Sequence, residues 1–361
     1  MKKRSRSRLH SKKVGQLPGT LHPPSEQKTS HVKLAMFRYD SQKLVESGAE
    51  MLEKLDIAVH DDDVLWLNVH GLHDPDLMRQ IGQAFNLHPL VMEDILNTDQ
   101  RPKVDDYDDY LFIVARFFGY DKETMGISSE QVSIVLGKNF VLTFQELPTG
   151  SFDPVRERLR TGKGRLRSSN AAYLAYSLMD VVVDRYFIVL EQMDDECDSL
   201  EDNLLHSPGD HLLKKIHLLK RETMELRRAV WPLREVINTL MRNESGLFEH
   251  ETVLHLRDVY DHTVHFIESL EALRDLLSGM LDIYFSTLSN RINMEVRALT
   301  VVAMMFMPAT LIAGIFGMNF EVMPWLKNPN GFWFAIALMG GIATFMALIF
   351  WRRQWLSRKA V

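Results

Sequence analysis

Acidic and imidazole side chains occur at spacings that bring several of them together. Asp258, Asp261 and His262 stand at positions i, i+3 and i+4, so they share one face of a helix. Glu93 and Asp94 are adjacent acids on a separate element. Carboxylates that face one another repel, and a bound divalent cation relieves that repulsion. Surface solvation is the alternative, and it suits Asp261 better than Asp94 or Asp258.

A second group with candidate chemistry is the tripeptide Gly317-Met318-Asn319, which ends a long apolar run. The Asn319 side-chain amide offers an oxygen that accepts hydrogen bonds, and glycine permits backbone conformations that other residues adopt with difficulty. The alternative is that Gly317 and Asn319 only terminate a helix.

Two charge-free segments, residues 299–316 and 331–351, are long enough to cross a membrane, because a hydrocarbon core requires roughly 17–25 helical residues. Two buried helices of a soluble core are the weaker alternative. The joining loop carries one acid, Glu321, and one base, Lys327. The second segment is followed by four bases and no acid: Arg352, Arg353, Arg358 and Lys359. Basic flanks stay in the cytoplasm, so we expect both termini inside and the loop outside.

The remaining chain predicts an α+β part followed by a helical part. Runs typical of strands and helices alternate up to residue 144, with strands at 64–69, 110–118, 131–136 and 140–144 and helices at 77–85 and 89–96. Beyond residue 153 only helical patterns remain, at 171–205, 212–242 and 251–316. The fold class is therefore an α+β cytoplasmic domain followed by long stalk helices and two C-terminal transmembrane helices.

The predicted domain boundaries follow these patterns. In chain order they are a basic tail (1–31), a cytoplasmic α/β domain (32–152), a helical hairpin (153–250), a long stalk helix continuing as the first transmembrane helix (251–316), an external loop (317–330), the second transmembrane helix (331–351) and a basic tail (352–361). The hairpin has acids on its first arm and bases on its second, which either pair with each other or concentrate cations near a pore.

The long helix implies an oligomer. At 1.5 Å per residue, residues 251–316 would extend about 99 Å, which one compact domain cannot bury. Its apolar stripe favours packing against copies of itself. Two membrane spans alone also cannot enclose an ion path.

Several other functions are disfavoured by what the sequence lacks. It has no phosphate-binding loop, no Cys/His zinc cluster and no Ser-centred nucleophile motif, so an enzyme or an ATP-driven pump is not expected. The single Cys197 permits no internal disulfide and suits a reducing cytosol. The basic N-terminal tail lacks the apolar segment of a secretory signal; it reads as a solvated tail near an anionic membrane, with a mitochondrial transit peptide as the alternative.

Together these residues resemble the CorA family of magnesium transporters, whose mark is Gly-Met-Asn at the end of the first span. Other stretches are also similar to the family: LPGT (17–20), HPLVMEDIL (88–96), QRPK (100–103), DPVRER (153–158), WPLRE (231–235), RDVYDHT (257–263) and MPATLIAG (307–314). The chain departs from the family at Phe316, where Tyr is frequent, and at Trp325, where Glu is frequent.

The resemblance implies a funnel-shaped homopentamer in the cell inner membrane. It implies a passive, potential-driven influx channel for hydrated Mg²⁺, with Co²⁺ and Ni²⁺ as further ions, and no enzyme activity. The alternatives are a transporter of Zn²⁺ or another divalent ion from the same superfamily, coupled to protons, and a membrane-anchored signalling module without a pore.

The resemblance also implies roles for individual residues. Gly317, Met318 and Asn319 would form the selectivity filter. Mg²⁺ loses its water reluctantly, so the filter should recognise the hydrated ion. A symmetric ring of Asn319 amides would accept hydrogen bonds from that water, and Gly317 would permit the backbone turn that places the ring. A stripe with a spacing of three or four residues would line the pore, although such a stripe is also typical of helix packing: Asn293, Val296, Leu299, Ala303, Met307, Thr310 and Gly314. Apolar Leu299 and Met307 would close the pore by excluding water.

A regulatory Mg²⁺ site is implied in the cytoplasmic part. Positions matching Asp94 and Asp258 bind a divalent ion between subunits in the family, with Glu93, Asp180 and His262 nearby. Asp180 interrupts an otherwise apolar helical stretch. Intracellular Mg²⁺ bound there would stabilise the closed assembly.

Overall fold

The computed structural model describes residues 19–22, 24, 28–29, 31–60, 63–206, 209–242, 244–318, 321, 324 and 328–353. The chain divides into two compact units, one made chiefly of residues before 280 and one made chiefly of residues from 280 onward. Asn319, Trp325 and most of the predicted basic tails lie outside the described residues.

The first unit is built on a seven-stranded sheet. Its strands are β1 (Lys33–Tyr39), β2 (Leu44–Ala49), β3 (Val64–His70), β4 (Lys103–Asp106), β5 (Tyr110–Asp121), β6 (Gly126–Gly137) and β7 (Phe140–Gln145). They lie in the order β2-β1-β3-β7-β6-β5-β4. Of these pairings β3 with β7 is parallel and the others are antiparallel.

Two short helices, α1 (Pro75–Ala84) and α2 (Pro89–Leu96), pack on one face of the sheet. Each begins with a proline, which suits the first helical turn because that turn has no partner for the missing N–H. Asp74 caps α1 by accepting hydrogen bonds from the backbone N–H groups of the first turn. The ring nitrogen Nδ1 of His88 caps α2 in the same way. The His88 cap fixes the start of α2, the helix that carries Glu93 and Asp94.

Helix α3 (Asp153–Thr161) and the longer helices α4 (Ala171–His206) and α5 (Asp210–Arg242) follow the sheet in the chain. Trp66 of β3 is fully buried; it stacks on Phe37 at 5.1 Å between ring centroids and meets Phe152 edge-on at 6.1 Å. The Tyr186 hydroxyl of α4 donates to the Arg116 carbonyl at 2.8 Å. The Ile127 N–H donates to Glu222 of α5 at 3.2 Å. Both long helices are therefore tied to β5 and β6.

The second unit consists chiefly of the C-terminal part of one long helix and a second apolar helix. Helix α6 (His250–Phe316) begins in the first unit and has 67 residues, about 100 Å at the α-helical rise. Pro308 lies inside it without ending it. Helix α7 (Gly331–Arg352) follows. Among the described residues these two helices are long and apolar enough to span a membrane.

The predicted fold class is confirmed: an α/β domain, a long helix and two apolar C-terminal helices. The predicted strands lie within β3, β5, β6 and β7, whereas β1, β2 and β4 were not individually predicted. Strand β4 is only four residues long, KVDD, and lies at the sheet edge. Charged, short edge strands lack the apolar alternation by which strands are recognised.

Glu130 of β6 is a buried carboxyl group that makes the stability of the fold depend on pH. It is buried, and one of its carboxylate oxygens accepts a hydrogen bond from the Leu147 N–H at 2.8 Å. Burial raises its pKa to about 6, against the opposing effect of that hydrogen bond, and Glu146 adds to the rise. The folded state therefore holds this proton more tightly than the unfolded chain, so stability falls as pH rises from about 4.5 to about 6.

The substitution Glu130→Gln keeps an acceptor for the Leu147 N–H and removes the buried charge. We expect the melting temperature to rise by about 2–4 °C at pH 8 and to change little at pH 4, where the wild-type carboxyl is protonated. Thermal unfolding at the two pH values measures this. A variant that melts earlier than the wild type at pH 8 would contradict the assignment of Glu130 as a destabilising charge.

Candidate functional site

Asp180, Asp258 and His262 meet between α4 and α6. His262 Nε2 lies 3.8 Å from Asp258 Oδ1, one turn apart on α6. Burial raises the pKa of Asp180 to about 6, and neighbouring Asp184 raises it further. Arg158 and His262 act in the opposite direction, and Asp258 adds a smaller increase. The carboxylate of Asp180 thus carries a free-energy cost when ionised, which a nearby cation would offset.

Aromatic rings pack against the imidazoles of this part of α6. The ring of His262 meets Phe187 edge-on at 6.2 Å between centroids. His255 stacks on Tyr176 at 5.2 Å. Burial raises the pKa of Tyr176, with Asp180 as the next cause. The rings of α4 therefore help to hold the two imidazoles in place.

Asp94 lies in a different environment, because a lysine already neutralises it. Lys103 Nζ is 2.6 Å from an Asp94 carboxylate oxygen and 2.6 Å from one of Asp105. The Gln100 side-chain amide donates to the other Asp94 oxygen. Burial lowers the pKa of Lys103, but its hydrogen bonds with Asp105 and Asp94 outweigh this and raise it. A metal ion at Asp94 would therefore compete with Lys103 for the same carboxylate.

Glu93 is held by the N-terminal segment. Its carboxylate accepts a hydrogen bond from the Gly19 N–H at 2.8 Å. Gly19 has φ +83°, and a Cβ there would lie 2.9 Å from Cβ of Pro89. Both the left-handed backbone and the close approach require glycine. Residue 19 is thereby fixed against the start of α2.

The structure separates the predicted regulatory residues into two groups. Glu93 and Asp94 lie on α2, and Asp180, Asp258 and His262 form the other group. Within the described part of one chain, no cluster of three or more His, Cys, Asp or Glu side chains could hold a metal ion. Asp261 is exposed to solvent. A full oxygen shell is therefore not assembled within one protomer.

The predicted pore stripe lies on an exposed surface of α6. Leu299 is 70% exposed and Met307 is 67% exposed, which is unusual for large apolar side chains. Val296, Asn293, Ala303, Thr310 and Gly314 are also exposed. An open groove runs along this surface toward the C-terminal end of α6. It is lined by Ala303, Phe306, Met307, Thr310, Leu311, Gly314, Ile315 and Met318.

Polar and small residues interrupt this apolar surface. The Thr310 hydroxyl donates to the Phe306 carbonyl at 3.0 Å, which leaves its oxygen able to accept a hydrogen bond. A Cβ added at Gly314 would meet nothing within 4 Å in the chain. Among the described residues of one chain, no contact requires glycine at position 314.

Helix α6 ends at the Gly-Met-Asn tripeptide. The Gly317 N–H donates to the Ala313 carbonyl at 2.9 Å, and the Met318 N–H donates to the Ile315 carbonyl at 3.3 Å. Gly317 does not have a positive φ, so no left-handed turn requires glycine there. A Cβ would instead lie 3.1 Å from the Ala313 oxygen, which is a tight contact with the backbone. Asn319 lies outside the described residues.

Three residues of the site were not identified from the sequence. Asp184 stands four residues after Asp180, a spacing that places both acids on one helix face and was available as a signal. Lys103 and Gln100 contact Asp94, but no periodic pattern in the sequence connects them to it.

Comparison with known proteins places the chain among metal ion transporters. A family model described as "CorA-like Mg2+ transporter protein" matches residues 61–353. The "Cobalt/magnesium transport protein CorA" of Thermotoga maritima is 48% identical over 291 residues, covering 81% of this chain and 83% of that protein. A putative metal ion transporter of Bacillus subtilis is 31% identical over 326 residues, covering 90% of this chain and 98% of that protein.

The fold gives the same result. The structure of the CorA magnesium transporter from Methanocaldococcus jannaschii matches with a TM-score of 0.75 at 22% identity. The match covers 89% of this chain and 98% of that structure. At 22% identity this match shows a shared fold only. The family assignment rests on the family model and on the T. maritima relative, each of which covers most of the sequence. The chain therefore belongs to the CorA family of Mg²⁺ transporters.

Proposed function

We propose that this protein is a passive channel through which the membrane potential drives hydrated Mg²⁺, and also Co²⁺ and Ni²⁺, into the cell. The observation that carries the proposal is the tripeptide Gly317-Met318-Asn319 at the end of α6, directly above an exposed apolar stripe. The name of the T. maritima relative, a cobalt/magnesium transport protein, supports the choice of ions.

The ion path requires several copies of α6. One copy exposes Leu299 and Met307 over a surface that water would not favour, and membrane lipid or other copies must cover it. We propose a homopentamer in the inner membrane, with both termini in the cytoplasm and the 317–330 loop outside. The stripe then faces the central axis.

The filter would act on the hydrated ion. Carbonyl oxygens of the Asn319 side chains accept hydrogen bonds from the water shell, so the ion need not lose its tightly held ligands. Further in, Thr310 and Asn293 would offer polar stations between apolar rings. The rings of Leu299 and Met307 would close the pore when they narrow enough to exclude water.

Regulation would come from Mg²⁺ bound between cytoplasmic domains. Asp94 and Asp258 would hold the ion across a subunit boundary, with Glu93, Asp180 and His262 nearby. The separation of these residues into two groups within one chain supports a shared site. Bound Mg²⁺ would offset the cost of charge on Asp180 and so stabilise the closed state. Loss of the ion would free α6 to move.

Flux measurements in proteoliposomes test the proposal. The purified protein is reconstituted, and uptake of Mg²⁺, Co²⁺, Ni²⁺ and Zn²⁺ is followed with and without an inside-negative potential and with and without a pH gradient. We expect Mg²⁺ and Co²⁺ uptake that increases with the potential and needs no pH gradient. Uptake of Zn²⁺ alone, driven by the pH gradient, would favour a proton-coupled zinc transporter. No uptake of any ion would leave only a membrane-anchored module.

A further inference from the structure

A pocket of about 420 Å³ lies in the first unit, away from the groups described above. One wall is the loop that follows α2, residues 99–102, and the opposite wall is the part of α5 at residues 225–229. Strands β5 and β6 supply the rest through Arg116, Phe118, Ile127 and Ser129. The volume is in the range of small-molecule sites, about 300–1,000 Å³.

Three arginines give the pocket a basic side. The Arg116 guanidinium is fixed in place, because its Nε donates to Ser129 Oγ at 2.7 Å and its Nη1 donates to the Gln100 carbonyl at 2.8 Å. Arg101 and Arg228 are exposed at the rim. Among the residues that the structure describes, neither forms an ion pair or a hydrogen bond. Their guanidinium groups are therefore available to a ligand.

The other lining residues are apolar or acidic. Ile127 and Ala229 are half-buried and form the accessible apolar surface of the pocket, because the other apolar lining residues are buried. Asp99 and Glu225 are exposed acids that also line the pocket. The arginines attract an anionic group and these acids repel it, so a negative charge is favoured beside the arginines. The rest of a ligand would meet the apolar lining.

We propose that this pocket binds a nucleoside monophosphate, a molecule with one phosphate and one flat ring. Arginine pairs with phosphate through two parallel hydrogen bonds, which makes Arg101 and Arg228 suitable for the phosphate. The flat base would lie against the accessible apolar surface formed by Ile127 and Ala229. Such a ligand would contact the sheet and α5 at once.

Calorimetric titration of the full-length protein in detergent tests the proposal. Adenosine monophosphate is the probe, with inorganic phosphate and adenosine as separate arms, all in EDTA so that divalent ions at other sites do not contribute. We expect saturable binding of one adenosine monophosphate per chain, at least about tenfold tighter than either phosphate or adenosine.

Charge reversal identifies the site. Arg101→Glu and Arg228→Glu are each expected to weaken binding about tenfold or more, because each removes hydrogen bonds to a charged group. Lys214→Glu makes the same charge change at an exposed position of the same helix outside the pocket, and it should bind as the wild type does. Circular dichroism and melting temperature show that each variant is folded.

Three results would overturn the proposal: no saturable binding to the wild type, unchanged affinity in folded Arg228→Glu protein, or phosphate binding as tightly as adenosine monophosphate. The last would mean that the apolar surface does not take part. Because the readout is binding in EDTA, these outcomes are independent of whether the protein conducts Mg²⁺.

Discussion

Replacing Asn319 with alanine is expected to reduce Mg²⁺ uptake to the level of empty vesicles while the oligomer stays assembled. In the proposed filter, only the side-chain amides offer oxygens to the ion's water shell, and alanine has none. Without them, nothing at the mouth compensates the cost of confining a strongly hydrated ion. Uptake by proteoliposomes measures the effect, and size-exclusion chromatography in detergent measures assembly.

The matched control is Asn330→Ala. Asn330 immediately precedes α7, and its side chain makes no capping hydrogen bond to that helix. The change of side chain is the same and the position is in the same loop, so uptake should remain at the wild-type level. If assembled Asn319→Ala protein transports Mg²⁺ at the wild-type rate, the selectivity role of the tripeptide is wrong.

Asp258→Ala is expected to weaken inhibition by internal Mg²⁺, so that about tenfold more of the ion, or more still, is needed to close the channel. The substitution removes a carboxylate from the proposed shared site, and loss of a metal-site partner costs about 10–100-fold in affinity. Currents recorded while the internal Mg²⁺ concentration is varied measure the shift.

Asp261→Ala is the control for this experiment. It removes an acid from the same helix three residues further on, where the side chain is exposed to solvent. Inhibition should be unchanged in that variant. Should Asp258→Ala currents shut off at the wild-type Mg²⁺ concentration, Asp258 has no part in sensing. Because the two experiments change different units of the chain, either role can fail alone.

The helical part of the fold was accessible from the sequence because its pattern is local and long. Residues 251–316 contain a proline only at position 308, and the structure has the helix from His250 to Phe316. The edge strand β4 was not accessible in this way. Its four residues, KVDD, form a strand because they pair with β5. That pairing depends on the tertiary fold, and a local sequence pattern does not reveal it.

The sequence named Asp94, Asp258 and His262 as candidates by residue type and by resemblance to the family, and a regulatory site built from them stays a prediction. The sequence did not reveal their contacts within the chain. It did not predict that the Gly19 N–H would bind Glu93, since 74 positions separate the two residues. Gly317 lies in a turn at the end of α6, as predicted, and the sequence did not reveal that a Cβ there would lie 3.1 Å from the Ala313 oxygen.

The pairing of Asp94 with Lys103 affects how Mg²⁺ would bind at Asp94. Asp94 is already paired with Lys103 of the same chain. Mg²⁺ at the proposed site would therefore replace one cation with another and would not neutralise an unpaired carboxylate. The released ammonium group of Lys103 would stay close by and would repel the bound Mg²⁺. The concentration at which the channel responds would then be set in part by a lysine that the ion never touches.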